Sequence, residues 1–453
     1  MVKLVCYGGA GAVTGANFLL EISGRKVLID CGYLQGVSGA EEVNESKFEY
    51  EPASIDVLFI THAHIDHIGK IPKLVKDGFE GEIYSTRETK EISELMLIDA
   101  ARIAERNARE EGGTPIYTTH DVEQALKLWK VFNYHEVKEF GGFKVEPYDA
   151  GHILGSAMLK FTFPSGKSIL FTGDIGNSPS PLLKNTEVVT GAEYILMESV
   201  YGDRNHVDKG TKTEKLKKVL LDTIASKGTL LIPVFSLERT QVILHELDNL
   251  FESKEVPQVP VFLDSPLAIR VTDIYERVVK HYNSQVQAEL RSGDEIFKFP
   301  RLKETAQARD SREIMKTHGP KVILAGSGMS TAGRIVNHEE MFLPDPNTTI
   351  LFLGYQAPGT LGRQISEGVK KVKINDHEIK VRAKVEKIDG YSAHADSNTL
   401  VGFVEKCASE KLKQVFVAMG EPRSSIFLAQ RLRDELGVNA VVPERTKVYE
   451  LDL

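Results

Sequence analysis

Residues 61–69 read Thr-His-Ala-His-Ile-Asp-His-Ile-Gly, so that His62, His64, Asp66 and His67 place three imidazoles and a carboxylate within six positions. His62 and His64 stand two apart, and an extended segment points both the same way. Asp66 and His67 reach a neighbouring position once the chain turns into a helix. Imidazole and carboxylate are ligands suited to a borderline cation such as zinc, and a catalytic site of that kind keeps one coordination position for water. One short loop of this composition can feed two adjacent ions.

The elements that must position this cluster are short apolar strands. The cluster directly follows Ile55-Asp-Val-Leu-Phe-Ile60, and similar strand-like runs cover 26–30, 144–148, 168–172 and 194–197. A residue with useful chemistry sits at or just past the end of most of them: Asp30, then His152 in Ala150-Gly-His-Ile-Leu-Gly-Ser156, then Asp174 after Phe171-Thr-Gly. Layered α/β folds carry their ligand sites on such loops, because a rigid sheet fixes where each loop begins. Four separate loops are therefore expected to converge.

After Glu198 strand and helix signals alternate regularly. Residues 228–235 and 261–263 read as strands, 238–251 has helical spacing, and 321–324 is a further strand. This pattern predicts a doubly wound α/β unit over 205–350, inserted into a first domain formed by 1–204 and 351–453. The return is expected at Thr349-Ile-Leu-Phe-Leu-Gly354, because later residues are needed to complete the metal site. The helical stretch 87–111, with Arg102, Arg106 and Arg109 among acids, reads as a solvated amphipathic face.

A chain of 453 residues is longer than one growing core supports, which agrees with two domains. The net charge of −8 gives no global attraction to nucleic acid, so a polyanion would have to be held by a local basic groove or by metal ions. Cys6, Cys31 and Cys407 are scattered and odd in number, which argues against a disulfide framework and for a reducing, cytoplasmic setting. Cys31 follows Asp30 but reads as a buried structural thiol rather than a ligand. No apolar run approaches the ~18 residues of a membrane span, and the first residues lack the apolar core of a signal peptide.

The cluster His62/His64/Asp66/His67, taken with Asp30, His152 and Asp174, resembles the metallo-β-lactamase fold. Glu198 in Met-Glu-Ser-Val-Tyr-Gly and His394 in Asp-Gly-Tyr-Ser-Ala-His-Ala-Asp are similar to the first two signature elements of its β-CASP subgroup, whose members are nucleases. The resemblance implies an α/β protein: a metallo-β-lactamase αββα sandwich with an inserted doubly wound α/β β-CASP domain. It also implies a first zinc held by His62, His64 and His152, and Asp174 bridging to a second held by Asp66 and His67. With Asp66, Glu198 and His394 as catalytic residues, it implies a ribonuclease that hydrolyses RNA phosphodiesters with a zinc-bound hydroxide. His394 would be the general acid, oriented and kept cationic by Glu198.

One position departs from the family pattern. Where a third signature element carries a His, this chain has Val415-Phe-Val-Ala-Met-Gly-Glu421, so that Met419 stands at the position of a ligand to the second zinc. A thioether is a soft, weak donor, and the second site should bind its ion loosely or prefer manganese. The alternatives are a catalytically weakened RNA-binding subunit that partners an active β-CASP homologue, and a small-molecule metallo-hydrolase built on the first domain.

Further family-like stretches are Pro233–Gln241, Asp264–Ile269, Gly326–Met329 with Gly333-Arg334, and Gly354–Arg363. Glycine-rich turns let backbone amides approach an anion, and Ser327, Gly328, Arg239 and Arg363 are the expected substrate contacts. His338 is expected to pack or cap, and His206 to lie in a surface loop. The chain starts at once with the catalytic domain and stops soon after Met419, so selectivity is expected to rest on the cleft, with a preference for single-stranded RNA. The resemblance further implies pairing with a second copy or with an active homologue, and no membrane.

Overall fold

A computed structural model describes residues 2–207, 210–357 and 359–453. The chain forms two compact units, Met1–Asn205 with His394–Leu453, and His206–Ala393.

The first unit is built on two seven-stranded sheets. In spatial order one contains Val448–Leu451, Val2–Gly8, Asn17–Ile22, Arg25–Ile29, Val57–Phe59, Glu82–Thr86 and Trp129–Phe132. The other contains Ala440–Val441, Gln414–Val417, Tyr194–Met197, Ser168–Phe171, Ala157–Thr162, Lys144–Asp149 and Lys138–Glu139. Alternate side chains of a strand point to opposite faces, and that alternation sorts the apolar residues into layers. Phe18, Ile29, Phe59, Phe161, Phe171, Leu196 and Phe416 fill the space between the sheets. Leu19, Leu28, Leu58 and Ile83 point outward, against Ile71 and Leu74 of Ile71–Lys76, Leu97 and Ala101 of Arg87–Glu111, and Val122 of Thr119–Leu128. On the far side Leu170, Ile195, Val415 and Val417 meet Leu400 and Val404 of Ser397–Cys407, and Leu428 and Leu432 of Pro422–Leu436. The result is the expected αββα sandwich.

Strand and helix positions follow the sequence pattern closely, down to the helix Arg87–Glu111, which is capped by the Thr86 side chain. The strands that lead to the 61–69 cluster and to Asp174 are central and parallel to a neighbour, whereas Lys144–Asp149, which leads to His152, is next to the edge and antiparallel to both its neighbours. Arg25–Ile29 pairs with Val57–Phe59, and Ser168–Phe171 pairs with Tyr194–Met197. Their ends are therefore held from both sides.

The second unit is a six-stranded sheet in the order Leu302–Glu304, Val261–Asp264, Lys321–Ala325, Thr229–Pro233, Thr349–Phe352 and Lys384–Lys387, all parallel. Its four central strands are buried on both faces, as a doubly wound arrangement requires. Here the expected boundary needs correction. Thr349–Phe352 does not lead back into the first unit but lies inside this sheet, with Leu230 opposite Thr349 on one side and Lys384 opposite Thr349 on the other. The inserted unit thus runs to Ala393 rather than to 350, and the return is at His394. An apolar strand sequence looks the same in either sheet; only its pairing partner distinguishes them.

Phe161 lies edge-on to Phe59, at 5.3 Å between ring centroids and 89° between planes, and is fully buried. Phe161→Ala is expected to lower the stability of the first unit by about 3–5 kcal/mol, read as a shift in denaturation midpoint.

Candidate metal centre

The loop carrying the cluster is stitched onto the end of the strand Arg25–Ile29. Asp30, in the left-handed region at φ 57°, accepts from the Thr61 backbone N–H and the Thr61 hydroxyl, both at 2.8 Å. Backbone bonds from Cys31 to the His67 carbonyl (2.8 Å), from Tyr33 to the Ile65 carbonyl (3.1 Å) and from Ala16 to the Asp66 carbonyl (2.9 Å) fasten the one-turn helix Ile65–Ile68 in place. Gly32 passes directly beneath this turn, where a Cβ would overlap the Asp66 carbonyl. The other loops are fastened similarly. Ser156 Oγ accepts from His152 N–H at 3.1 Å, Gly176 N–H donates to the Ala150 carbonyl at 2.9 Å, and Ala395 N–H donates to the Ile175 carbonyl at 2.9 Å.

His62, His64, His152 and Asp174 come together: one ligand atom from each lies within 4.8 Å of all the others. His64 Nδ1 is 3.0 Å from His62 Nε2 and 3.2 Å from His152 Nε2. Asp174 Oδ2 is 3.3 Å from His62 Nε2 and 3.4 Å from His152 Nε2. The other oxygen of the same carboxylate, Oδ1, lies 3.5 Å from His67 Nε2, which is itself 3.8 Å from Asp66 Oδ2. Asp174 thus presents one oxygen to the three-histidine group and the other to the Asp66/His67 pair.

Three observations show that these residues fit metal ions. His67 Nε2 is buried and has no hydrogen-bond partner among the described residues, an arrangement that costs free energy unless something else meets the nitrogen. His67 Nδ1 faces Asp30 Oδ2 at 2.7 Å, which fixes the ring so that Nε2 points at the site. Burial holds His64 and His152 well below the usual histidine range, so both are neutral imidazoles with a lone pair to give. Asp30, singled out in the sequence only for its place at a strand end, orients His67 and sits outside the converging group.

A second triad adjoins the first. Asp174, Glu198 and His394 also bring ligand-type atoms together, and Glu198 is fully buried. Glu198 Oε1 accepts from Ile175 N–H at 2.6 Å, and Oε2 lies 3.2 Å from His394 Nδ1. The His394 ring stands 4.6 Å from that of His152. Burial opposes charge on His394, but the Glu198 and Asp174 carboxylates outweigh it and push its pKa up to about 9. Tyr201, which sequence reading passed over, extends this side of the site: its ring is 6.3 Å from His394 and carries the Arg204 guanidinium at 4.8 Å.

Met419 is fully buried in the apolar layer between the sheets, at φ 48°, with its N–H donating to the Gly9 carbonyl at 2.6 Å. His206, expected in a surface loop, is buried instead. Cys31 is a buried free thiol, as expected.

The predicted substrate contacts all lie in the second unit. Ser327 is largely spent on its own turn, its hydroxyl accepting from Thr331 N–H at 3.0 Å and Ala332 N–H at 3.2 Å, and its own N–H donating to the Ala332 carbonyl. Gly328 is required by packing, since a Cβ would stand 2.6 Å from the Phe235 ring. Arg239 lies over that ring at 5.2 Å, and Arg363 is held by Glu367 at 2.6 Å. Pro358, within the stretch 354–363, lies outside the described residues. His338 packs as expected, fully buried, with Nε2 2.7 Å from Asp264 Oδ2.

Three family models match the chain in succession: the Metallo-beta-lactamase superfamily over 10–234, the Beta-Casp domain over 240–365, and the Zn-dependent metallo-hydrolase RNA specificity domain over 378–443. Ribonuclease TTHA0252 of Thermus thermophilus is 34% identical over 89% of this chain and 91% of its own length. This chain belongs to the β-CASP group of the metallo-β-lactamase superfamily. Other members similar to it are transcription termination factor FttA of Methanosarcina mazei, 30% identical over 96% of this chain and 70% of its own, and an RNase J-like protein of Methanocaldococcus jannaschii, 29% identical over the full length of both. A crystal structure of a protein of unknown function from Enterococcus faecalis shares the β-CASP chain's fold, with TM-score 0.58, 13% identity and coverage of 99% of this chain and 100% of that one. The superfamily implies a divalent metal, typically zinc, and the converging histidines and Asp174 fit one.

Because Asp30 holds the His67 ring, Asp30→Asn is expected to weaken binding at the Asp66/His67 side by about 10–100-fold. Metal content per chain after dialysis, measured by elemental analysis, checks this.

Proposed function

We propose that this protein is a metal-dependent ribonuclease that hydrolyses RNA phosphodiester bonds. The observation that carries the reading is the Asp174 carboxylate, whose two oxygens face two different sets of ligand atoms, in a chain whose β-CASP relatives include a named ribonuclease. His62, His64, His152 and Asp174 would hold one cation, and Asp66, His67 and Asp174 a second. Bound there, such ions act as Lewis acids, lowering the pKa of water and offsetting charge on a phosphoryl group.

The chain's own groups have distinct tasks in this reading. Asp66, the most exposed of the three aspartates facing His67, orients the attacking water through its second oxygen. As the new P–O bond forms and the old one breaks, the leaving oxygen takes a proton from His394 Nε2. His394 Nδ1 faces Glu198, which holds the ring in register and favours its protonated form. Glu198 is in turn held by the Ile175 amide, so a fixed backbone bond sets the angle of the acid.

Imidazole-rich coordination suits zinc at the first position. The second position has one imidazole and two carboxylates, with Met419 where the family pattern has a histidine, and this donor set is harder and weaker. We therefore read the second ion as loosely held and exchangeable with manganese. The substrate is taken to be single-stranded RNA, and the setting the cytoplasm, which suits three buried unpaired thiols. Among the described residues no helix is long and apolar enough to cross a membrane.

His62→Ala is expected to abolish cleavage of a 5′-labelled RNA, and unaltered cleavage would assign the activity to another site. His394→Ala should lower kcat by about 10²–10⁴-fold while leaving metal content near that of the parent, because it removes the acid and not a ligand. Intact RNA beside a hydrolysed thioester would move the reading to a small-molecule hydrolase. Met419→His should raise bound metal and rate together if the second position limits the enzyme. A variant that gains metal and stays inert would favour an RNA-binding subunit.

A further inference from the structure

The second unit carries a strongly basic segment that the metal chemistry does not use. Residues 369–387 hold seven Lys or Arg against three Asp or Glu, a local excess of four positive charges in a chain whose net charge is −8. Most of them lie on a hairpin, Lys371–Ile374 paired antiparallel with His377–Lys380, and its continuation.

Strand alternation sorts this segment cleanly. Val372 and Ile374 are buried in the apolar cluster of the second unit, with Ile379 and Val381 packed against it. Lys371, Lys373, Glu378 and Lys380 therefore share the outer face, and all four are exposed, as are Lys370 and Arg382. Lys371 and Lys380 are directly opposite in the register, a pairing of like charges that destabilises a two-stranded sheet. Lys371 and Lys373 have acidic neighbours, Glu378 at 2.8 Å and Asp376 at 2.7 Å. Lys370, Lys380 and Arg382 make no side-chain hydrogen bond or ion pair with any described residue.

The hairpin is also held rigid. At its tip Asn375 Nδ2 donates to Glu340 Oε2 at 2.8 Å, and His377 Nδ1 lies 2.6 Å from Glu340 Oε1, fastening it to the helix Arg334–Phe342. Lysines on an exposed sheet edge are a common device against edge-to-edge pairing, and that accounts for Lys384 and Lys387 on the outermost strand of the six-stranded sheet. Both strands of the hairpin are edges too and the same device serves them, but it does not call for Lys371 and Lys380 to face each other across the ladder or for Lys370 and Arg382 to flank them. A rigid face that concentrates unpaired cations against its own stability is suited to a polyanion that supplies the missing counter-charge.

We propose that the outer face of this hairpin, through Lys370, Lys380 and Arg382 with Lys371, is a docking surface for the phosphate backbone of single-stranded RNA. It grips the strand without reading bases, since ammonium and guanidinium groups meeting phosphates carry no sequence information. This inference rests on the ribonuclease reading above. It adds residues, beyond the metal ligands and the glycine-rich turns, that hold the substrate.

The test uses the full-length protein with its metal, and the triple variant K370A/K380A/R382A. Binding of a labelled single-stranded RNA of about 20 nucleotides is measured by anisotropy between about 50 and 200 mM salt. Each phosphate contact contributes about 0.7 to the slope of log Kd against log salt for single strands, so the variant should bind about tenfold or more weakly at low salt, with the slope reduced by about 2. KM for RNA should rise with kcat little changed, and hydrolysis of bis(p-nitrophenyl) phosphate, which has no phosphate backbone to lay on the hairpin, should be unaltered. An affinity and salt slope equal to the parent's would overturn the proposal. So would a parallel loss of the small-substrate activity, which would mark the hairpin as structural; a melting curve on the variant and on the milder K380Q separates that case. If the parent hydrolyses the small phosphodiester but neither binds nor cuts RNA, the ribonuclease reading itself fails, and the docking surface with it.

Discussion

The candidate metal centre is organised around one buried carboxylate. Asp174 lies at the end of a central strand, is almost wholly removed from water, and faces His62 and His152 with one oxygen and His67 with the other. Burial alone would push such a group toward its neutral form. The imidazoles of His67, His62 and His394 outweigh burial and hold Asp174 well below the usual carboxylate range. A charge kept ionised inside a protein requires compensation at close range. Every other feature of the site can be read as a way of arranging that compensation.

The arrangement is mechanical as well as electrostatic. Asp174, His152 and the 61–69 loop leave their sheets at neighbouring strand ends, and each loop is bonded to the next through backbone groups rather than through the ligands themselves. Thr61 and Asp30 illustrate the economy of this. One carboxylate accepts the Thr61 amide and hydroxyl and also orients His67, so the geometry of the cluster is set by a residue that is not part of it. Glu198 repeats the pattern on the other side, held by the Ile175 amide and holding His394. Side chains that are preorganised in this way need not reorganise when a cation or a phosphate arrives.

The second unit has a different physical character. Its four central parallel strands are largely apolar and bury both faces, which leaves most of its polar chemistry to the edges, turns, helix ends and the attached hairpin. Several of the groups there serve the fold: Asp264 gathers His338, Arg334, Thr305 and Ser311 around itself, and Ser327 closes its own turn. The uncompensated charge is concentrated on the hairpin. An acidic protein that works on a polyanion must place its cations locally, and the distribution along this chain has that form.

Much of this was legible from the residues. The cluster at 61–69, His152 and Asp174 past apolar runs, and the change of texture after Glu198 follow from side-chain chemistry and period, which are local properties of a sequence, whereas His394 was legible only through its resemblance to a family signature. The strands and long helices matched because their apolar spacing is unambiguous. Three things were settled only by the tertiary structure. The end of the inserted unit depended on which sheet Thr349–Phe352 joins, and an apolar strand carries no mark of its partner. The separation of Asp30, which orients, from Asp174, which faces both ligand sets, depended on distances between loops far apart in sequence, 37 residues for Asp30 and His67 and more than a hundred for Asp174 and the 61–69 loop. The burial of Met419 between the sheets depended on how the late strand Gln414–Val417 seats against its neighbours, a matter of packing that composition and spacing do not encode.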